Sequence, residues 1–170
     1  MLPAVVTDAD RAVVARQLGR EPRTLRGVAV RCPFGAPAVT EQSPYAADGE
    51  PFPTTYYLTC RHLVAAVSRL EAAGGVERWS ETTRIEPALG TSLAAADEEQ
   101  RRLRRELAAG ATGSDGGASL EYGIGGSRRG GGLKCLHAHV AFALARPGYE
   151  LGERILAEVE RRWPEQCCSR

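Results

Sequence analysis

The chain has 170 residues, 43% hydrophobic and 25% charged, which suits one globular domain with an adequate core and leaves a second core cramped. A net charge of +1 gives no global pull toward nucleic acid or anionic membrane, and no apolar run approaches the ~20 residues of a membrane span. Residues 1–8 lack the basic and long apolar regions of a secretory signal, so the expected location is cytoplasmic.

In chain order, Thr7 or Asp8 caps a short helix that runs to about Gln17, with Val13, Val14 and Leu18 on its apolar side and Gly19 ending it. Residues 12–23 resemble the first half of a helix-turn-helix, but no recognition helix follows, so DNA binding is not expected. Strands are predicted at 26–31, 38–40 and 54–58, the first ending at a Cys32-Pro33 turn. Between the last two lies a Pro- and Gly-rich loop at 44–53, whose Phe52-Pro53 bond is a candidate for cis. Leu63, Val67 and Leu70 recur at helical spacing over 61–73, with Thr59 as cap and Gly74-Gly75 as the stop.

Residues 75–86 fit a short helix or strand around 76–79, broken by Pro87. Residues 92–109 are rich in Ala, Glu and Arg; the run Arg101-Arg102-Leu103-Arg104-Arg105 offers charges for phosphate contact, but Glu98, Glu99 and Glu106 within a turn or two of it favour a solvated helix face. Ten of the 19 glycines fall in 110–132, a predicted flexible loop interrupted by one short strand near 120–123. The final helix is expected at 149–162, with Leu151, Ile155, Leu156 and Val159 on one face, and a disordered tail at 164–170. These elements add up to one α+β domain, a small mainly antiparallel sheet covered by several helices.

Chemistry concentrates at Lys134-Cys135-Leu136-His137-Ala138-His139. This segment holds the only lysine among 22 basic residues, two of three histidines and one of five cysteines. Arginine serves everywhere else, so Lys134 stands where a compact ammonium is wanted. A helix over 133–145 is apolar on one face and small on the other, hence buried between neighbours. At 100° per residue Cys135 and His139 share a side and His137 points elsewhere. An odd number of cysteines argues against a disulfide scaffold and for free thiols or metal ligands. Cys167 and Cys168 are set aside. Cys32, Cys60 and Cys135 all stand at element ends, as a shared site at a sheet edge requires.

The strings Cys32-Pro33-Phe34-Gly35-Ala36-Pro37-Ala38-Val39, Asp48-Gly49-Glu50-Pro51-Phe52-Pro53-Thr54 and Tyr57-Leu58-Thr59-Cys60 occur in that order. Ser68-Arg69-Leu70-Glu71, Gly123-Ile124-Gly125-Gly126 and the Lys134 to His139 segment follow. Together they resemble the bacterial domain of unknown function 501 family, common in actinobacteria. The resemblance implies a small cytoplasmic protein with no established activity, encoded near a septum-formation membrane protein and an exopolyphosphatase-like enzyme. Two departures are Arg61, where the family usually has proline, and residues 147–152 in place of a shorter turn; they weaken His62 as a family-level ligand.

Three functional readings remain open. The first is a zinc site made by Cys32, Cys60, Cys135 and His139, with His137 as an alternative ligand, structural if closed and catalytic if one position is open. The second is a metal-free thiol or acid-base enzyme. In it Cys135 is the nucleophile, His137 or His139 the base and Lys134 an electrostatic partner, and a small phosphate- or carboxylate-bearing ligand is held by Gly123, Gly125, Gly126 and Arg128 or Arg129. The third is a non-enzymatic binding or scaffold module in which the same side chains only fill the core.

Overall fold

A computed structural model of the chain describes residues 4–128, 132–159 and 161–168. Helix α1 (Asp8–Leu18) begins at Thr7, whose hydroxyl accepts the Asp10 amide at 3.0 Å while the Asp10 carboxylate accepts the Thr7 amide at 3.2 Å. This reciprocal pair satisfies two amides that the first turn leaves open. Gly19 closes the helix in the left-handed region, φ 69°. The Asp10 carboxylate also accepts both Arg31 guanidinium nitrogens, at 2.7 and 2.9 Å, and that pairing holds it down at about 2 and ties α1 to the sheet.

The sheet is antiparallel throughout, in the order β1 (Ala4–Val5), β2 (Leu25–Arg31), β3 (Pro37–Gln42) and β4 (Tyr56–Leu58). The α+β expectation holds. The three longer strands coincide with the predicted ones, and the fourth is the two-residue β1 rather than 120–123. Residues 118–121 instead form a 3-10 turn (Ala118–Glu121), because the Asp115 carboxylate accepts the Gly117 and Ser119 amides at 3.1 and 2.8 Å and winds the chain. Every residue of β3 is buried, polar ones included. Thr24 donates to the Gln42 side-chain oxygen at 2.8 Å, and the Gln42 amide donates to Thr40 at 2.7 Å, so these buried groups satisfy one another. No described peptide bond is cis, and Phe52-Pro53 is trans.

Helices α2 (Arg61–Ala72), α3 (Gly75–Ile85) and α4 (Pro87–Ala108) follow. Of the segment 75–86, residues 75–85 form a helix and Glu86 is extended. Pro87 does not break it from within but opens the next one at N1, where a missing N–H costs nothing. Among the described residues no helix is long and apolar enough to cross a membrane.

The arginine run on α4 is only half solvated. Arg102 and Arg105 are exposed and pair with Glu106 at 2.5 Å and Glu121 at 2.9 Å. Arg104 is fully buried. Its guanidinium donates to the Ser119 carbonyl at 3.0 Å and the Phe52 carbonyl at 2.9 Å, and burial lowers it to about 10. On the same face Asp97 accepts the Ile124 amide at 2.8 Å and Arg101 donates to the Glu121 carbonyl at 3.0 Å. This polar stripe at helical spacing fastens the loops at 44–53 and 118–126 to α4.

Helix α5 (Leu136–Ala145) is buried along nearly its whole length and lies against β4, α2 and α6 (Glu150–Ala157). Gly152 gives the close approach to α6: a Cβ there would stand 2.7 Å from that of Ala143. Helix α6 ends five residues short of its predicted limit of 162. His139 is buried on α5, with Nδ1 2.7 Å from the Tyr149 hydroxyl and Nε2 without a partner.

Two outcomes follow. Arg104→Ala opens a cavity, leaves the Phe52 carbonyl unpaired and takes from the Ser119 carbonyl one of its two donors, the Tyr122 amide being the other, so urea denaturation is expected to show a loss of about 2–4 kcal/mol. Burial lowers His139 to about 4, below its unfolded value of about 6.5. Its neutral form is therefore favoured in the folded state, and its contribution is present above pH 6.5 and lost as pH falls toward 4. Between pH 7 and pH 5 this costs about 2 kcal/mol. Denaturation midpoints of wild type and His139→Phe at both pH values check it, and an equal pH slope in the two proteins refutes it.

Candidate functional site

The chain enters α5 from a 3-10 turn (Ile124–Gly126), and Lys134 Nζ donates to the Gly126 carbonyl at 3.1 Å. The sole lysine thus ties the turn to the head of α5. Cys135 is the cap residue, extended at φ −157° and ψ 117°, and its side chain makes no capping bond. The helix starts at Leu136, not at 133. Helical spacing therefore does not extend back through Cys135, and the sulfur meets His137 rather than His139: Cys135 Sγ is 3.8 Å from His137 Nδ1.

The open amide at the head of α5 is satisfied from another helix. Glu71, in the last turn of α2, accepts the Leu136 amide on Oε1 at 2.6 Å, and the same oxygen lies 3.1 Å from His137 Nδ1. A carboxylate at a helix N-terminus is favourable for both hydrogen bonding and the helix dipole. The far side of the His137 ring faces α2, with Nε2 3.1 Å from the Val64 carbonyl and 3.2 Å from Ser68 Oγ. A carbonyl only accepts, so Nε2 carries the proton and Nδ1 is turned toward Glu71 and Cys135. Burial works against a charge on His137, but Cys135, Glu71 and the Val64 carbonyl outweigh it and raise the ring to about 9.

Glu71, Cys135 and His137 each offer a donor atom, all within 4.8 Å of one another, and this is the one such group of three or more among the described residues. The other predicted ligands stand elsewhere. Cys32 is buried at the end of β2, its carbonyl accepting the Gly35 amide in the turn to β3. Cys60 is buried at the start of α2 with its sulfur 3.6 Å from that of Cys168. His139 faces Tyr149. Glu71 was not among the residues picked from the sequence for chemistry; its only signal was its place in the Ser68 to Glu71 string of the resemblance.

The amides of Gly123, Ile124 and Gly126 are bonded within the protein. Gly123 N–H donates to the Ser127 carbonyl at 2.8 Å and Gly126 N–H to the Gly123 carbonyl at 3.1 Å, while the Ile124 amide is held by Asp97. A Cβ at Gly123 would collide with the Asp97 carboxylate, so packing explains that glycine. Arg128 lies over the Tyr122 ring, 5.9 Å from its centroid. Arg129 lies outside the described residues.

Cys135, His137 and Gly125 open onto a cleft of about 440 Å³ whose apolar wall includes Leu18, Tyr56 and Val64. Arg61 also lines it, its guanidinium donating to the Arg16 carbonyl. The arrangement therefore sets a thiol, an imidazole and a carboxylate at the edge of a mainly apolar cavity of small-molecule size.

No curated protein and no solved structure matches the chain. A family model does match, and it spans residues 28–157, from β2 to the end of α6, with Glu71, Cys135 and His137 inside it. The chain belongs to the family described as "Protein of unknown function (DUF501)".

Proposed function

We propose that the protein binds one zinc ion through Glu71, Cys135 and His137, with the fourth position open to the cleft. The observation that carries this reading is the direction of His137 Nδ1. With one ring proton fixed on Nε2, Nδ1 faces a carboxylate oxygen at 3.1 Å and a sulfur at 3.8 Å, and three atoms so placed share one cation: a metal ion in this reading, held in place of a proton on Nδ1. A tetrahedral zinc needs donors about 3.3–3.6 Å apart, and the two His137 distances, 3.1 and 3.8 Å, bracket that range while all three donors lie within 4.8 Å of one another. Thiolate, imidazole and carboxylate together suit zinc better than calcium or magnesium. The Val64 carbonyl on Nε2 and the Leu136 amide on Glu71 orient two of the three ligands in the manner of outer-shell partners at metal sites.

Three protein ligands with one open position is the pattern of zinc sites that activate water or polarise a carbonyl. The open position faces an apolar wall, which favours a substrate with a hydrophobic body. A second reading draws on the elevated His137: a proton replaces the metal on Nδ1, and Cys135 acts as nucleophile beside an imidazolium oriented by Glu71. The same three residues carry both, and metal content separates them.

Purified protein reconstituted with zinc and freed of excess metal is expected to retain about one ion per chain by elemental analysis. Cys135→Ser, His137→Ala and Glu71→Gln should each weaken retention by about 10-fold or more, whereas Cys32→Ser and His139→Phe should retain it. A wild-type chain that keeps no zinc removes the metal reading. Alkylation of Cys135 that is fast in wild type and slowed by His137→Ala would then favour the thiol reading.

A further inference from the structure

The sulfurs of Cys60 and Cys168 stand 3.6 Å apart although 108 positions separate them in the chain, so the fold itself makes this meeting. Cys60 is 1% exposed at the start of α2, and its amide donates to the Ala38 carbonyl of β3 at 3.2 Å. Cys168 is partly exposed. The segment that carries it, residues 161–168, is seated by two further contacts. His62 Nε2 donates to the Arg161 carbonyl at 2.6 Å, and Trp163 packs against the same core as Cys60.

We propose that Cys60 and Cys168 form a thiol-modification site that reacts with low-molecular-weight disulfides and closes an intramolecular disulfide between the head of α2 and segment 161–168. Exposure sets the order of steps. The Cys168 thiolate attacks one sulfur of the small disulfide, a bond to Cys168 forms, the small S–S bond breaks and the first small thiol leaves with a proton. The Cys60 thiolate then attacks the Cys168 sulfur and expels the second small thiol. The two protein thiols lose two electrons and two protons, and the small disulfide takes up both.

Burial pushes the Cys60 thiol up to about 11, which suits the second step, an attack on a sulfur already held beside it, better than the first. The sulfurs must close from 3.6 Å to about 2.05 Å. Cys60 is fixed by the sheet and the helix start, so segment 161–168 supplies the movement. Thr59 and Arg61, on either side of Cys60, line the cleft, and the bond therefore ties that segment to the cleft wall. The site shares no residue with the proposed zinc ligands.

The test treats reduced full-length protein with glutathione disulfide at neutral pH, blocks remaining thiols by alkylation and maps unreduced peptides by mass spectrometry. The expected product is one linked pair containing Cys60 and Cys168. A rise in Tm of about 5–15 °C that dithiothreitol reverses, and slower tryptic cleavage after Arg161 and Arg162, should accompany it. Cys168→Ser, at the more exposed partner, should abolish the linked pair and the Tm rise. Cys60→Ser should leave Cys168 capped by glutathione. Oxidised wild-type protein in which Cys60 is still alkylated overturns the proposal, whether Cys168 is then joined to Cys167, capped or free.

Discussion

The hydrogen bond from the Leu136 amide to the Glu71 carboxylate is the contact on which the site depends. Helix α5 is buried over nearly its whole length, so its first amides cannot turn to water. Cys135 precedes it in extended geometry and gives no side-chain cap. Leaving such an amide unpaired in the interior costs about 1–3 kcal/mol, and a charged acceptor contributes more than a neutral one. Glu71 supplies that acceptor from α2. The docking that lets it reach Leu136 also lays His137 along the Val64 and Ser68 side of α2. The grouping of thiol, imidazole and carboxylate is thus a geometric consequence of capping a buried helix from a neighbouring one.

The opposite side of the helix head is set by α4. Asp97 and Arg104, on one face of that helix, hold the Ile124 amide and the carbonyls of Phe52 and Ser119. The turn they secure brings Gly125 against Ala138, where an added Cβ would lie 3.4 Å from the alanine methyl. Lys134 completes the link by bonding to the Gly126 carbonyl. Lysine fits this task because a single compact ammonium reaches one carbonyl, whereas the flat fork of arginine presents several donors at once. The lysine therefore has a defined structural role at the edge of the cleft.

Elements whose ends carry a local signal were legible from sequence. Thr7 and Gly19 bracket α1, Leu63 and Val67 mark the buried side of α2, Val28 and Val30 mark β2, and the β-branched and aromatic run at 54–58 marks β4. Signals that depend on distant partners were not. Arg104 sits in a run whose charges suggest solvent, and only the two carbonyls it meets justify burying it. Residues 120–123 have strand-like composition, but Asp115 captures the Gly117 and Ser119 amides just before them, and the Leu120 and Tyr122 amides close a turn on the Gly117 and Ser119 carbonyls. The segment containing Cys135 and His137 was recognisable as unusual. Its internal geometry was not, because a periodicity argument assumes a helix that already includes Cys135. Glu71 was the hardest to see, since nothing local distinguishes it from the other acidic residues near a helix end.

The site is consequently a property of the assembled fold. Its three donor atoms come from α2 and from both sides of the α5 boundary, and the turn beside them is held by α4. In the unfolded chain Glu71 and His137 are 66 positions apart, the difference of their residue numbers, and nothing keeps them together. Any cation held among the three atoms binds the folded state far better than the unfolded one and is therefore coupled to stability through mass action. Cation binding among the donors and helix capping are linked through Glu71: the carboxylate that lowers the cost of burying the first amide of α5 is also the one that makes a cation at His137 favourable.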